Sequence, residues 1–220
     1  MNRQLSISII MLGVFVVGVA FILWLARGDS PQASSDAAAG TSTAQLVRPD
    51  SHVLSQAEGP DAPVLVEFLD FECEACRAAY PLVEQLRQDY DGQLTVVARY
   101  FPIPSHANAV NAAVAVEAAA QQGQFEAMYK RMYATQAEWG EQQESKADVF
   151  RGFAEELGLD MDAYDAAVAD EATAERIARD YQDGIDLGVQ GTPTFFLDGQ
   201  LLQPQSEADF RDAIEAAIAD

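Results

Sequence analysis

The pattern of apolar and polar positions divides the chain into three zones. Residues 7–26, ISIIMLGVFVVGVAFILWLA, form an unbroken apolar run without charge. Twenty helical residues span about 30 Å, the hydrocarbon thickness of a bilayer. Trp24 near the end of the run suits an interfacial aromatic position. The run is longer than the roughly 7–15 residues of a secretory h-region, and Leu25-Ala26-Arg27-Gly28 makes a poor cleavage site. The expectation is a short stub over 1–6 and an uncleaved transmembrane anchor over 7–26. Residues 27–58 follow, rich in Ser, Ala, Gly, Gln, Thr and Pro. Such a stretch buries too little surface to offset chain entropy, so it reads as a flexible linker. Within it only Leu46, Val47, Val53 and Leu54 offer enough apolar surface for a short strand or docking segment.

From residue 59 onward the pattern alternates between strand and helix periods. Val64–Leu69 is short, β-branched and aromatic, and Pro60 and Pro63 bound it upstream, which predicts a buried strand. Residues 73–90 place Ala79, Leu82, Val83 and Leu86 on one helical face, with Pro81 expected to kink the helix. Asp91-Gly92 predicts a turn and 94–101 a second strand, parallel to the first across a right-handed crossover. Helices are predicted over 106–121 with Ser105 as N-cap, and over 123–137, 146–157, 161–169 with Asp160 as cap, and 171–187. Thr194–Leu197, Asp198-Gly199 and Gln200–Leu202 read as a hairpin, and 206–219 as a last amphipathic helix. The outline over 59–220 is β-α-β, a helical insertion over about 105–188, then β-β-α.

Charge narrows the function classes. The chain has 13 basic and 35 acidic side chains, a formal net charge of −22. Setting aside Arg3 and Arg27 leaves a net of −24 on residues 28–220. That excludes a nucleic-acid binder, which needs a basic footprint to displace counterions, and disfavours adhesion to anionic lipid. The two cysteines exclude a multi-disulfide scaffold and a four-cysteine metal site.

Those cysteines are spaced as Cys73-Glu74-Ala75-Cys76, opening a helix directly after a buried strand. The first helical turn has unpaired N–H groups and a positive dipole end, which stabilise a thiolate. Cys73 would be exposed and nucleophilic, and Cys76, a turn further in, would be shielded and within reach of it. A zinc site would need further ligands, and only His52 and His106 are on offer, both remote in the chain. A four-residue loop gives a structural disulfide little entropic value, so the pair reads as redox-active. No metal or cofactor is expected.

Phe68-Leu-Asp-Phe-Glu-Cys-Glu-Ala-Cys76, followed about 115 residues later by Gly191-Thr-Pro-Thr-Phe-Phe-Leu-Asp-Gly199, resembles the DsbA-like branch of the thioredoxin superfamily. The resemblance covers 59–220 and implies an α/β, thioredoxin-like fold. It implies thiol–disulfide exchange on reduced exported proteins, with the catalytic domain outside the cytoplasm. It also implies re-oxidation by a membrane quinone-linked thiol oxidase. Reductase or isomerase work, as in cytochrome maturation, and non-catalytic peptide binding are the alternatives. A monomer is expected. By the resemblance Pro193 is a cis-proline beside the cysteines, and the backbone of Thr192 faces the substrate chain. Glu67, a carboxylate in an otherwise apolar strand, matches a buried acid of the family and would relay the proton of Cys76. Arg99 in the neighbouring strand is expected as its counter-charge. Between the cysteines, Glu74-Ala75 replaces the Pro-His of strongly oxidising members. Glu72 and Glu74 are expected to oppose a Cys73 thiolate and so weaken the oxidant.

Overall fold

A computed structural model describes residues 46–219; the expected stub, the anchor over 7–26 and the linker as far as residue 45 lie outside the described residues. Among the described residues no helix is long and apolar enough to cross a membrane. The centre of the sheet is β2 (Val64–Leu69), whose apolar residues are buried on both faces. It runs parallel to β3 (Thr95–Tyr100) and antiparallel to β4 (Thr194–Leu197). β5 (Gln200–Leu202) extends one edge and β1 (His52–Ser55) the other, giving the order β1-β3-β2-β4-β5. The parallel crossover from β2 to β3 is α1 (Glu74–Asp89), which runs through Pro81 as one helix.

The insertion between β3 and β4 holds α2 (Ala109–Ala120), α3 (Phe125–Trp139), α4 (Ala147–Glu156), α5 (Met161–Ala169) and α6 (Glu171–Asp186). The chain closes with α7 (Glu207–Ala219), whose Phe210 and Ile214 are buried, Phe210 packing edge-on against Phe195 of β4. Asp160 caps α5 as expected, accepting from the Ala163 N–H at 3.0 Å. α2 begins three residues later than predicted. Residues 104–108 instead make turns, and Asn108 directs its amide to the carbonyls of Gln142 and Glu144.

The period of two along each strand sorts the core into two faces. Leu65, Leu69, Val96, Ala98 and Tyr100 pack toward α1 and most of the insertion. Val66, Phe68, Val97 and Phe101 pack on the other face, with Leu46, Tyr181 and Val189.

The boundary of the expected linker is corrected. Residues 46–58 belong to the folded domain: Leu46 is fully buried, His52–Ser55 is the edge strand, and Leu54 and Ala57 are buried. Polar anchors hold the segment alongside the apolar ones, each reaching a residue far along the chain. The Arg99 guanidinium donates to the Leu46 carbonyl, Arg176 donates to the Asp50 carbonyl at 2.5 Å, and the His52 ring lies 2.7 Å from Glu117.

Candidate active site

Cys73 is the N-cap of α1, with extended backbone (φ −69°, ψ 121°) and no side-chain capping bond. Its sulfur is therefore free to face the first turn. Cys73 is half-buried, Cys76 is fully buried, and the two are unbridged thiols. The Cys73 thiol is brought down to about 5. The first cause is a hydrogen bond from Cys76, which outweighs partial burial; the Thr192 side chain and the N–H groups of Cys76 and Ala75 act in the same direction. This is the behaviour of a sulfur at a helix N-terminus. Burial, followed by the Cys73 contact and the charge of Glu67, pushes Cys76 well above the ordinary thiol range. One sulfur is thus a thiolate at neutral pH and the other a protonated thiol.

The Thr192–Pro193 peptide bond is cis, as expected, and places Thr192 against the cysteine pair. The Cys73 thiol donates to the Thr192 carbonyl at 3.3 Å. The Thr192 hydroxyl is buried and has no other partner, which leaves it available to donate once Cys73 ionises. Glu74 and Ala75 are exposed on the first turn.

Glu67 lies beneath the pair, 1% exposed, with Oε2 lacking a hydrogen-bond partner. Burial, then the charges of Cys73 and Glu84, push its carboxyl up to about 8. The expected pairing with Arg99 is corrected. In the parallel register Glu67 stands beside Ala98, and Arg99 beside Phe68. Successive strand residues face opposite ways, so Glu67 and Arg99 occupy opposite faces of the sheet. Arg99 is fully buried over the Phe68 ring, and it pairs with Asp180 at 2.8 Å and Asp183 at 2.5 Å on α6. Among the described residues no counter-charge holds Glu67 ionised, and its neutral form is favoured.

The expected opposition of Glu72 to the thiolate is corrected as well. Glu72 is 3% exposed and spends both oxygens on the insertion, accepting from the Asn108 N–H at 2.6 Å and the Glu141 N–H at 3.1 Å. The Cys76 thiol first, then Thr192 and the N–H groups of Cys76 and Ala75, lower Cys73 instead.

Two further residues complete the site, Asp70 from within the motif and Gln136 from outside any motif. Asp70 is buried at the end of β2 and accepts from the N–H groups of Glu72 and Ile103 and from the His106 ring at 2.7 Å. Gln136 of α3 is buried and donates to the carbonyls of Phe71 at 2.6 Å and Cys73 at 2.9 Å. The signal available for Gln136 was an amide at an inward position of a helix whose neighbouring inward positions are Tyr129, Met132 and Tyr133. Those two tyrosines are core residues, and their hydroxyls, like Glu67 Oε2, are buried without partners. Among the described residues no cluster of His, Cys, Asp and Glu is arranged to hold a metal ion.

Comparison with known proteins agrees with this geometry. The thioredoxin family profile matches residues 59–216. A thioredoxin-like oxidoreductase from Silicibacter pomeroyi superposes with a TM-score of 0.66 at 28% identity, over 79% of this chain and 95% of that one. BdbD from Bacillus subtilis shares the fold, with a TM-score of 0.67 at 15% identity over 77% of this chain and 94% of that one. Among curated proteins, a Na(+)/H(+) antiporter NhaA 3 of Salinispora tropica is 39% identical over 197 residues. The match takes in 85% of this chain but only 29% of the antiporter, so the chain spans under a third of the curated relatives it matches. A half-exposed thiolate at a helix N-terminus, a buried partner thiol and an adjoining cis-proline are thus set in a fold of known kind: the chain belongs to the thioredoxin family.

Proposed function

We propose that the protein is an oxidant that forms disulfides in exported proteins at the outer face of a membrane. The observation that carries this reading is the asymmetry of the two sulfurs, with Cys73 brought down to about 5 and Cys76 pushed up. A stabilised thiolate stabilises the reduced pair, and a stabilised reduced pair is a stronger oxidant. The geometry therefore favours oxidation of substrate over the reductase or isomerase direction.

The steps follow from exposure. A substrate thiolate attacks Sγ of Cys73 in the Cys73–Cys76 disulfide, because Cys76 is covered. The S–S bond breaks, and Cys76 leaves as a thiolate and takes the proton of neutral Glu67. A second substrate thiolate attacks the substrate sulfur of the mixed disulfide and expels the Cys73 thiolate, which needs no proton. Two electrons pass to the cysteine pair and one disulfide forms in the substrate. The Thr192 backbone offers the incoming chain strand-like pairing beside Cys73. A membrane quinone-linked thiol oxidase re-oxidises the pair.

Two findings support placement at a membrane. The apolar run over 7–26 has the length of a spanning helix. The curated relatives carry the shared segment within longer chains named as Na(+)/H(+) antiporters, a name that fits a setting at a membrane.

Equilibration with glutathione tests the direction. A reduction potential near about −120 mV is expected, and one near about −270 mV would overturn it in favour of a reductase. Complementation of a strain lacking its periplasmic thiol oxidase should succeed with the wild type and fail with Cys73→Ser. Success with Cys73→Ser would point to a peptide-binding domain without redox chemistry.

A further inference from the structure

We propose that Gln136, a residue of the helical insertion, is a positioning residue for Cys73: it holds the active-site turn so that the first N–H groups of α1 stay aimed at the sulfur. The inference rests on the reading of Cys73 as the reacting sulfur.

Three consecutive residues of the turn are tethered to the insertion by buried polar groups. The Gln136 amide donates to Phe71 O at 2.6 Å and to Cys73 O at 2.9 Å. Between them, the Glu72 carboxylate accepts from the Asn108 and Glu141 N–H groups. Glu141 takes up a left-handed backbone (φ 57°), uncommon for a residue with a side chain, at the place where its N–H meets Glu72. Asn108 ties the same loop together, accepting from the Lys146 N–H at 2.7 Å while its amide donates to Gln142 O and Glu144 O.

The Cys73 carbonyl is the lever in this arrangement. It accepts the first helical bond, from the Arg77 N–H at 3.1 Å, and Gln136 supplies a second hold on the same oxygen. Rotation of the Cys73–Glu74 peptide would swing that oxygen and reorient the first helical turn, which carries the Ala75 and Cys76 N–H groups that favour the thiolate. An amide among the buried side chains of α3 is costly unless its hydrogens are used, and here both are spent on the turn. The insertion thereby contributes to the chemistry of Cys73 through the backbone of the turn.

The test is Gln136→Met in the full chain, a replacement of similar size that removes both donors. Cys73 ionisation is followed by thiolate absorbance against pH, alongside the reduction potential and the thermal midpoint. The expected result is an upward move of the Cys73 titration, so that the thiolate fraction at pH about 5 falls about threefold or more. The potential should move in the reducing direction. A lowered thermal midpoint with titration and potential unchanged would make Gln136 a structural brace only and overturn the proposal. Should Gln136→Met not fold, Gln136→Asn, which keeps an amide but shortens its reach to both carbonyls, is read in the same way: an upward move supports the clamp, and an unmoved titration overturns it. A wild-type protein without a low Cys73 titration would instead overturn the reading of Cys73 itself, which separates the two failures.

Discussion

Glu67 and Cys73 titrate against their ordinary values in opposite senses, and the opposition has a measurable consequence for the reduced protein. Glu67, pushed up to about 8, keeps its proton in the folded state while the unfolded chain loses it. Stability is therefore lost as pH rises from the ordinary carboxylate range through about 8. Cys73, brought down to about 5, is a thiolate in the folded state while the unfolded chain still holds the proton. That contribution is absent below about pH 5 and grows toward the ordinary thiol range. Each proton gives a slope of at most about 1.4 kcal/mol per pH unit, so between pH 5 and 8 the two nearly cancel. Removing either group should expose the other. Relative to wild type, reduced Glu67→Gln should gain stability from pH 5 to 8 and reduced Cys73→Ser should lose it, as read by urea unfolding across that range. Burial is the first cause of the Glu67 shift, so the loss in Cys73→Ser should survive removal of the Cys73 charge. Parallel pH profiles for the wild type and Glu67→Gln would show that Glu67 is not held neutral. The Cys73-Glu74-Ala75-Cys76 motif announced the sulfurs at this scale, but the partners of Arg99 and Glu72 were hidden. Asp180 lies 81 residues from Arg99, and Glu72 binds backbone N–H groups, which have no letter of their own.

The element whose placement decides the sheet's second face is α6. Its Asp180 accepts from Arg99 Nε, Arg176 Nη1 and the Tyr100 N–H, so one carboxylate joins β3 to the insertion. Arg99 is fully buried and cannot turn to solvent when that partner is lost. Asp180→Ala should cost about 1–3 kcal/mol: Asp183 and Glu117 still pair with Arg99 and Arg176, but buried donors of both arginines and the Tyr100 N–H lose their acceptor. Asp180→Asn, which keeps an acceptor, should cost less; denaturant unfolding ranks the two. Four residues on, Gly184 lies against the aromatic layer. A Cβ there would meet Phe101 Cδ2 at 2.5 Å and Phe68 Cδ1 at 3.2 Å. Gly184→Ala would gain up to about 1 kcal/mol of helix propensity but force the two rings apart, a cost of about 1–3 kcal/mol. The net expectation is a lower unfolding midpoint. The apolar spacing predicted α6 to within one residue at its C-terminal end, because a long amphipathic helix repeats its signal over several turns. The start of α2 was not legible, since Asp70 and Asn108 draw residues 103–108 into turns that local propensity does not encode.

At the scale of the whole molecule, the sequence showed the order of strands and helices, and composition misled at one border. Residues 27–58 have a linker's composition, yet from Leu46 onward they pack as part of the domain. Composition weighs a segment by its own content, whereas this one gains its order from groups far along the chain: Arg99, Glu117 and Arg176. The attachment also completes two buried ion pairs, since Arg99 and Arg176, which neutralise the buried Asp180 and Glu117, each donate to a carbonyl of this segment. Truncation separates the two borders. A chain beginning at residue 46 keeps Leu46, Leu54, Ala57 and the β1 pairing with β3. A chain beginning at residue 59 loses them all and leaves Arg99 and Arg176 each short of a carbonyl acceptor. Each buried leucine contributes about 1.5–3 kcal/mol, and an orphaned charged donor adds its own desolvation penalty. The 46–220 chain should therefore unfold at a urea midpoint close to that of the full chain, and the 59–220 chain should be less stable by about 4 kcal/mol or more. Equal midpoints for the two truncations would restore residue 58 as the border and reduce residues 46–58 to tether.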